Sequence, residues 1–109
     1  MTERISREEL RQMTESRSPF VLIDTLPETA FRKGHLPGAI NIRSDDILTE
    51  SPKRIPDKDA AIVVYCASET CKRAGLSAER LLSLGYTRVL HYVGGKADWV
   101  AAGQPLEAG

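Results

Sequence analysis

Short hydrophobic runs recur along this chain, and mixed polar segments separate them. Four of the runs have the length and the content of apolar and β-branched residues that are typical of buried strands. They cover residues 20–23, 39–42, 60–65 and 89–93. The run 60–65 is the strongest strand prediction, because all six of its residues are apolar.

The segments between these runs carry helix-start and helix-stop signals. Ser6 and Glu9 have the spacing of a capping box, and Gly34 and Gly85 stand where helices are expected to stop. Helices are predicted over residues 6–13, 28–33, 44–49, 73–84 and 96–102, and a polar loop over 51–58. Alternating strands and helices predict a single α/β domain over residues 1–109, with an open, mostly parallel sheet covered on both faces.

Charge and hydropathy narrow the range of partners. The 109 residues include 15 basic and 15 acidic side chains, and this balance argues against a nucleic-acid partner or an anionic membrane surface. No apolar run approaches the roughly 20 residues of a membrane-spanning helix, and residues 1–13 are too charged for a secretory signal. We therefore expect a cytoplasmic protein, in which its two cysteines stay reduced.

Cys66 is the strongest candidate for chemistry. It directly follows the best strand and precedes a short loop and a helix, and ligands of parallel α/β sheets bind at the carboxyl ends of strands. Loop N–H groups and a helix N-terminus favour the reactive thiolate. Lys72 and Arg73 would reinforce this field, and Glu69 would oppose it. A buried cysteine that merely ends the strand is the alternative.

Two motifs carry a family resemblance. Gly34-His35-Leu36-Pro37-Gly38-Ala39 and Val63-Val64-Tyr65-Cys66, in this order and followed by Gly94-Gly95, resemble the single-domain rhodanese-like (thiosulfate sulfurtransferase) family. The resemblance covers about residues 20–105 and implies a central five-stranded parallel sheet with helices on both faces. It also implies that Cys66 takes sulfane sulfur from thiosulfate or a persulfide donor and passes it to cyanide, a thiol or a protein. No metal or organic cofactor is implied.

The loop after Cys66 departs from the family pattern. The resemblance makes it the substrate-binding loop, which consists of Ala67, Ser68, Glu69, Thr70, Cys71, Lys72 and Arg73. The family's loop arginine corresponds to Arg73, which is seven residues after Cys66, so this loop is two residues longer than the common one. Leu26 also replaces an arginine found in many members. A non-catalytic module that binds sulfur or docks a partner is therefore the alternative function.

Cys71 adds a second thiol to this loop. It is a spectator, or a relay thiol that attacks the Cys66 persulfide and leaves a disulfide, which also permits a thiol–disulfide redox function. A metal site is disfavoured because the spacing is not Cys-x-x-Cys. Asp24 ends a predicted strand, where it either faces the rim of the site or caps the following turn. His35 is expected to fix its turn through a backbone hydrogen bond.

Overall fold

A computed structural model describes residues 3–16 and 19–109 of the chain. Its strands are β1 (Glu3–Arg4), β2 (Val21–Asp24), β3 (Ile40–Asn41), β4 (Ala61–Tyr65) and β5 (Arg88–His91). They form one sheet in the order β1-β5-β4-β2-β3, and every neighbouring pair is parallel. The five-stranded parallel sheet is thus confirmed. Strand β1 has no counterpart among the four predicted strands.

Five α-helices connect or follow the strands. They are α1 (Arg7–Glu15), α2 (Glu28–Lys33), α3 (Ile47–Arg54), α4 (Arg73–Ser83) and α5 (Gly95–Ala101). The capping box of α1 is confirmed, because the Glu9 N–H donates to Ser6 Oγ and the Ser6 N–H donates to Glu9 Oε1, both at 3.1 Å. Within residues 3–16 and 19–109, no helix is long and apolar enough to cross a membrane.

The loop predicted over residues 51–58 is wrong in its first half. A 3-10 turn at Ser44–Asp46 leads into α3, and α3 continues through Pro52 to Arg54. Proline removes one helical N–H. The helix nevertheless buries Ile47 and Ser51, and Ile55, which directly follows the helix, is buried as well. Burial of this face outweighs the lost hydrogen bond.

Strand β4 lies at the centre and divides the core into two layers. Ile62 and Val64 pack on one face, with side chains from α3 and α4. Val63 and Tyr65 pack on the other, with side chains from α1, α2 and α5. This alternation is the period of two expected of a strand, and it confirms that helices cover both faces. The residue after Tyr65 therefore emerges on the α3 and α4 side of the sheet.

Candidate active site

Cys66 lies at the carboxyl edge of the sheet, between the ends of the neighbouring strands β2 and β5. Cys66 is only 2% exposed, and its side chain belongs to the core layer that contains α4. The loop that follows is much more open. Ala67, Glu69, Thr70, Lys72 and Arg73 are exposed, and Ser68 and Cys71 are half-buried. Two of these loop residues contact the buried sulfur, since the carbonyl oxygens of Ser68 and Cys71 lie 3.9 and 3.3 Å from Cys66 Sγ.

Helix α5 fixes the start of this loop. The Lys96 N–H donates to the Cys66 carbonyl at 3.0 Å, and the Ala97 N–H donates to the Ala67 carbonyl at 2.9 Å. In a trans peptide the C=O and the N–H point in opposite directions. The Ala67 N–H therefore points away from α5, and it acts to lower the pKa of the Cys66 thiol. The packing of α5 orients a hydrogen-bond donor for the candidate nucleophile.

The close approach of α5 depends on Gly95. Its φ is +62°, in the left-handed region that glycine adopts without strain. A Cβ added here would overlap the Cys66 carbonyl oxygen and lie 3.0 Å from the Ala67 carbonyl carbon. In the sequence, Gly94-Gly95 stands out only as part of the family resemblance, and nothing there identifies Lys96 as part of the site. A glycine pair directly before a helix is the signal that was available.

Both donors and acceptors surround the Cys66 sulfur. Burial and the hydrogen bond with the Cys71 thiol raise the pKa of Cys66 to about 11, although the N–H groups of Ala74 and Ala67 act in the opposite sense. The Cys71 carbonyl oxygen lies 3.3 Å from Cys66 Sγ, where it accepts from the protonated thiol. Burial and the bond to the Cys71 carbonyl therefore oppose, in this conformation, the expected preference of Cys66 for the thiolate.

The pKa of the Cys71 thiol is lowered, in contrast to that of Cys66. Burial alone would raise the pKa of its thiol, but the Cys66 thiol, the N–H groups of Arg73 and Ala67 and the Arg73 side chain together lower it. Cys71 is also more exposed than Cys66. Cys71 is therefore the more acidic of the two thiols in this conformation.

This order predicts the alkylation pattern. Near neutral pH, iodoacetamide is expected to modify Cys71 well before Cys66. Because the thiolate is the reacting form, the Cys66 rate should rise about tenfold per pH unit until it levels off at about pH 11. Peptide mapping of the wild type, together with Cys66→Ser and Cys71→Ser, measures each rate. A Cys66 rate that levels off below pH 8 in the wild type would contradict the assignment.

Asp24 does not lie at the rim of the loop. It is fully buried, and its carboxylate accepts hydrogen bonds from the Leu26 N–H at 2.9 Å and from Tyr65 Oη at 2.8 Å. Lys96 Nζ lies 3.6 Å away. Asp24 pairs with Tyr65 in the sheet register, so its side chain points to the face opposite Cys66. The prediction that Asp24 faces the rim of the site is therefore wrong, because the side chain lies in a buried hydrogen-bond network. The alternative, that Asp24 caps the following turn, agrees with its hydrogen bond from the Leu26 N–H.

His35 has the structural role expected for it. Its Nδ1 donates to the Phe31 carbonyl at 3.0 Å, and its ring stacks on the Phe31 ring with centroids 3.9 Å apart. The Tyr65 hydroxyl fixes the same turn by accepting from the Leu36 N–H at 3.0 Å. The Gly-His-Leu-Pro-Gly segment is thus held by contacts within the fold. Its conformation explains the motif without a catalytic histidine.

Comparison with known proteins agrees with this geometry. The rhodanese-like domain family matches residues 6–102, nearly the whole chain. The chain belongs to the rhodanese-like family. Among its relatives, the adenylyltransferase and sulfurtransferase UBA4 of Candida albicans is 29% identical over 102 residues, which is 88% of this chain and 23% of UBA4. The thiosulfate sulfurtransferase PspE of Escherichia coli is 32% identical over 67 residues, 62% of each protein.

Solved structures of this family share the fold. A thiosulfate sulfurtransferase from Pseudomonas aeruginosa superposes with a TM-score of 0.89 at 25% identity, covering 99% of this chain and 20% of that one. This rhodanese-like chain spans less than two thirds of the length of the curated relatives it matches. The fold and the family are therefore shared, and sulfurtransferases are among the relatives.

Proposed function

We propose that this rhodanese-like protein is a sulfurtransferase that carries sulfane sulfur on Cys66. The observation that carries the proposal is the position of Cys66 at the end of β4, where the N–H groups of Ala67 and Ala74 act to lower the pKa of its thiol against the effect of burial. These donors suit an anionic sulfur, either bare or loaded. Relatives named as sulfurtransferases support the same assignment.

The reaction with thiosulfate is a nucleophilic displacement. The Cys66 thiolate attacks the sulfane sulfur, the S–S bond of thiosulfate breaks, and sulfite leaves with the bonding electron pair. The product is a Cys66 persulfide, from which a thiophilic acceptor such as cyanide, a thiol or a protein takes the outer sulfur. Lys72 and Arg73 are exposed beside the loop, where their positive charge would attract a dianionic donor and Glu69 would oppose it.

The donor must gain access to a buried sulfur. Cys66 is 2% exposed, and the carbonyl oxygen of Cys71 lies 3.3 Å from its sulfur. Displacement of Cys71 would open access to the Cys66 sulfur. It would also remove the interaction with the Cys71 thiol, which after burial is the largest cause of the raised Cys66 pKa. We infer that donor binding shifts the loop and activates Cys66 in the same step. The free thiols that this chemistry requires suit a reducing compartment such as the cytoplasm.

The test measures sulfite and intact mass after anaerobic incubation with thiosulfate. Wild type should release one sulfite per chain, and Cys66→Ser should release none. Cys71→Ser, which keeps Cys66 as its remaining thiol, should gain the mass of one sulfur atom and lose it again on addition of cyanide. An equal sulfite yield from Cys66→Ser, or no sulfite from any variant, would overturn the proposal.

The raised pKa of Cys66 favours a second candidate. A module that binds sulfur compounds or docks a partner without turnover needs no thiolate, and a buried thiol with a pKa of about 11 fits that function. The same experiment separates the two functions. A folded wild type that releases no sulfite, whose Cys66 stays unmodified, would favour the non-catalytic module.

A further inference from the structure

The two cysteines of the loop are in direct contact. Cys66 and Cys71 are both free, the Cys71 carbonyl oxygen lies 3.3 Å from Cys66 Sγ, and the Cys71 side chain packs against the core layer that contains Cys66. A turn closed by the Cys71 N–H on the Ser68 carbonyl at 3.1 Å brings Cys71 back towards Cys66. The contact is with Cys66 Sγ itself, the atom that would form the inner sulfur of a persulfide.

The surroundings of Cys71 suit an attacking sulfur. Cys71 is the more exposed of the two cysteines. The Cys66 thiol, the N–H groups of Arg73 and Ala67 and the Arg73 side chain lower the pKa of its thiol, which favours the thiolate, the nucleophile in sulfur exchange. Cys66 is the weaker nucleophile of the two in this conformation, because it is buried and its thiol donates to the Cys71 carbonyl. Cys71 is therefore the sulfur suited to attack, and Cys66, once it carries the added sulfur, is the one that is attacked.

We propose that Cys71 resolves the Cys66 persulfide and gives the protein a sulfide-releasing activity. This inference rests on the proposed function, since it needs the persulfide. The Cys71 thiolate forms a bond to Cys66 Sγ, and the bond between Cys66 Sγ and the outer sulfur of the protonated persulfide breaks. The outer sulfur leaves as hydrosulfide with the electron pair. Two cysteine sulfurs are oxidised to a disulfide, and the sulfane sulfur is reduced to sulfide.

Turnover then requires a thiol reductant, such as a low-molecular-weight thiol or a dithiol protein, to reduce the Cys66–Cys71 disulfide. Over a full cycle, thiosulfate and two thiols give sulfite, sulfide and one disulfide. The buried position of Cys66 favours this route over attack by external thiols. A neighbouring thiolate held in contact has a large effective concentration, whereas an external thiol must first enter the closed loop.

The experiment follows one turnover without added reductant. Reduced, desalted protein is incubated anaerobically with thiosulfate, and sulfite, sulfide, free thiols and intact mass are measured. Wild type should release one sulfite and one sulfide per chain, lose both thiols and finish lighter by two hydrogen atoms. Cys71→Ser should release one sulfite but no sulfide and should keep the added sulfur. A sample without thiosulfate should keep both thiols, which controls for oxidation by air.

The outcomes distinguish this inference from the function on which it rests. Sulfite release by the wild type with a stable persulfide and no sulfide would overturn the role of Cys71 and leave the sulfurtransferase intact. Equal sulfide release by wild type and Cys71→Ser would also overturn it. Absence of sulfite from every variant would overturn both proposals. Added sulfur on Cys66→Ser would overturn the assignment of Cys66 as the sulfur carrier.

Discussion

Replacing Gly95 by alanine is expected to lower the free energy of unfolding by about 2–5 kcal/mol and to abolish sulfur transfer. A non-glycine residue in the left-handed region costs about 1–2 kcal/mol, and forcing atoms into a filled space adds about 1–3 kcal/mol. Here the added Cβ meets backbone atoms of Cys66 and Ala67, which no side-chain rotation can relieve. Chemical denaturation and sulfite release measure the two effects.

Gly103→Ala is the matched control for the backbone conformation. Gly103 has a φ of +78°, but no described atom lies within 4 Å of a Cβ added there. The Gly103→Ala variant should therefore lose only the conformational part of the free energy of unfolding, about 1–2 kcal/mol. Its sulfite yield should stay that of the wild type. The difference between the two variants isolates the contact of α5 with the loop. Equal losses of stability in both variants would mean that this contact is not tight.

Replacing Asp24 by alanine is expected to cost about 3–5 kcal/mol of stability, the range for breaking a buried ion pair from one side. The change leaves the Tyr65 hydroxyl and the Leu26 N–H without their acceptor and the Lys96 ammonium without its carboxylate. Lys96 keeps its bond to the Ala30 carbonyl, which limits the loss. Equilibrium unfolding in urea measures it.

Glu28→Ala provides the comparison for an exposed carboxylate. Glu28 pairs with Arg32 at 2.6 Å, but their side chains are 63% and 69% exposed. Exposed pairs of this kind contribute about 0–1 kcal/mol, so the substitution should change stability by no more than that. If Asp24→Ala were as mild as Glu28→Ala, the buried network would not be a major source of stability.

The sequence predicts most of the fold because its strands are short, apolar and well separated. Strand β1 is not predicted, because its two polar residues, Glu3 and Arg4, form a strand only by pairing with Leu90 and His91 far along the chain. The prediction ends helix α3 too early for a related reason. Pro52 argues locally for a loop, and the burial of Ile47, Ser51 and Ile55 that overrides it is a property of the packed core.

The candidate site was predictable in position but not in its electrostatics. The end of the strongest strand correctly places Cys66 at the sheet edge, because parallel strands present their carboxyl ends together. The raised pKa of Cys66 depends on burial and on the direction of the Cys71 carbonyl, which the sequence does not specify. The Asp24 network likewise joins Tyr65 and Lys96 from separate segments. Such convergence is a property of tertiary structure.

The attachment of Cys66 and Ala67 to α5 has a consequence for how the loop can vary. The anchor holds the first two residues, and the remainder of the segment, up to the start of α4, lies beyond it. Insertions there change the size and chemistry of the opening without moving the sulfur relative to the sheet. The longer loop that the family resemblance implies, and with it the second thiol, can thus be accommodated while the Cys66 sulfur keeps its place.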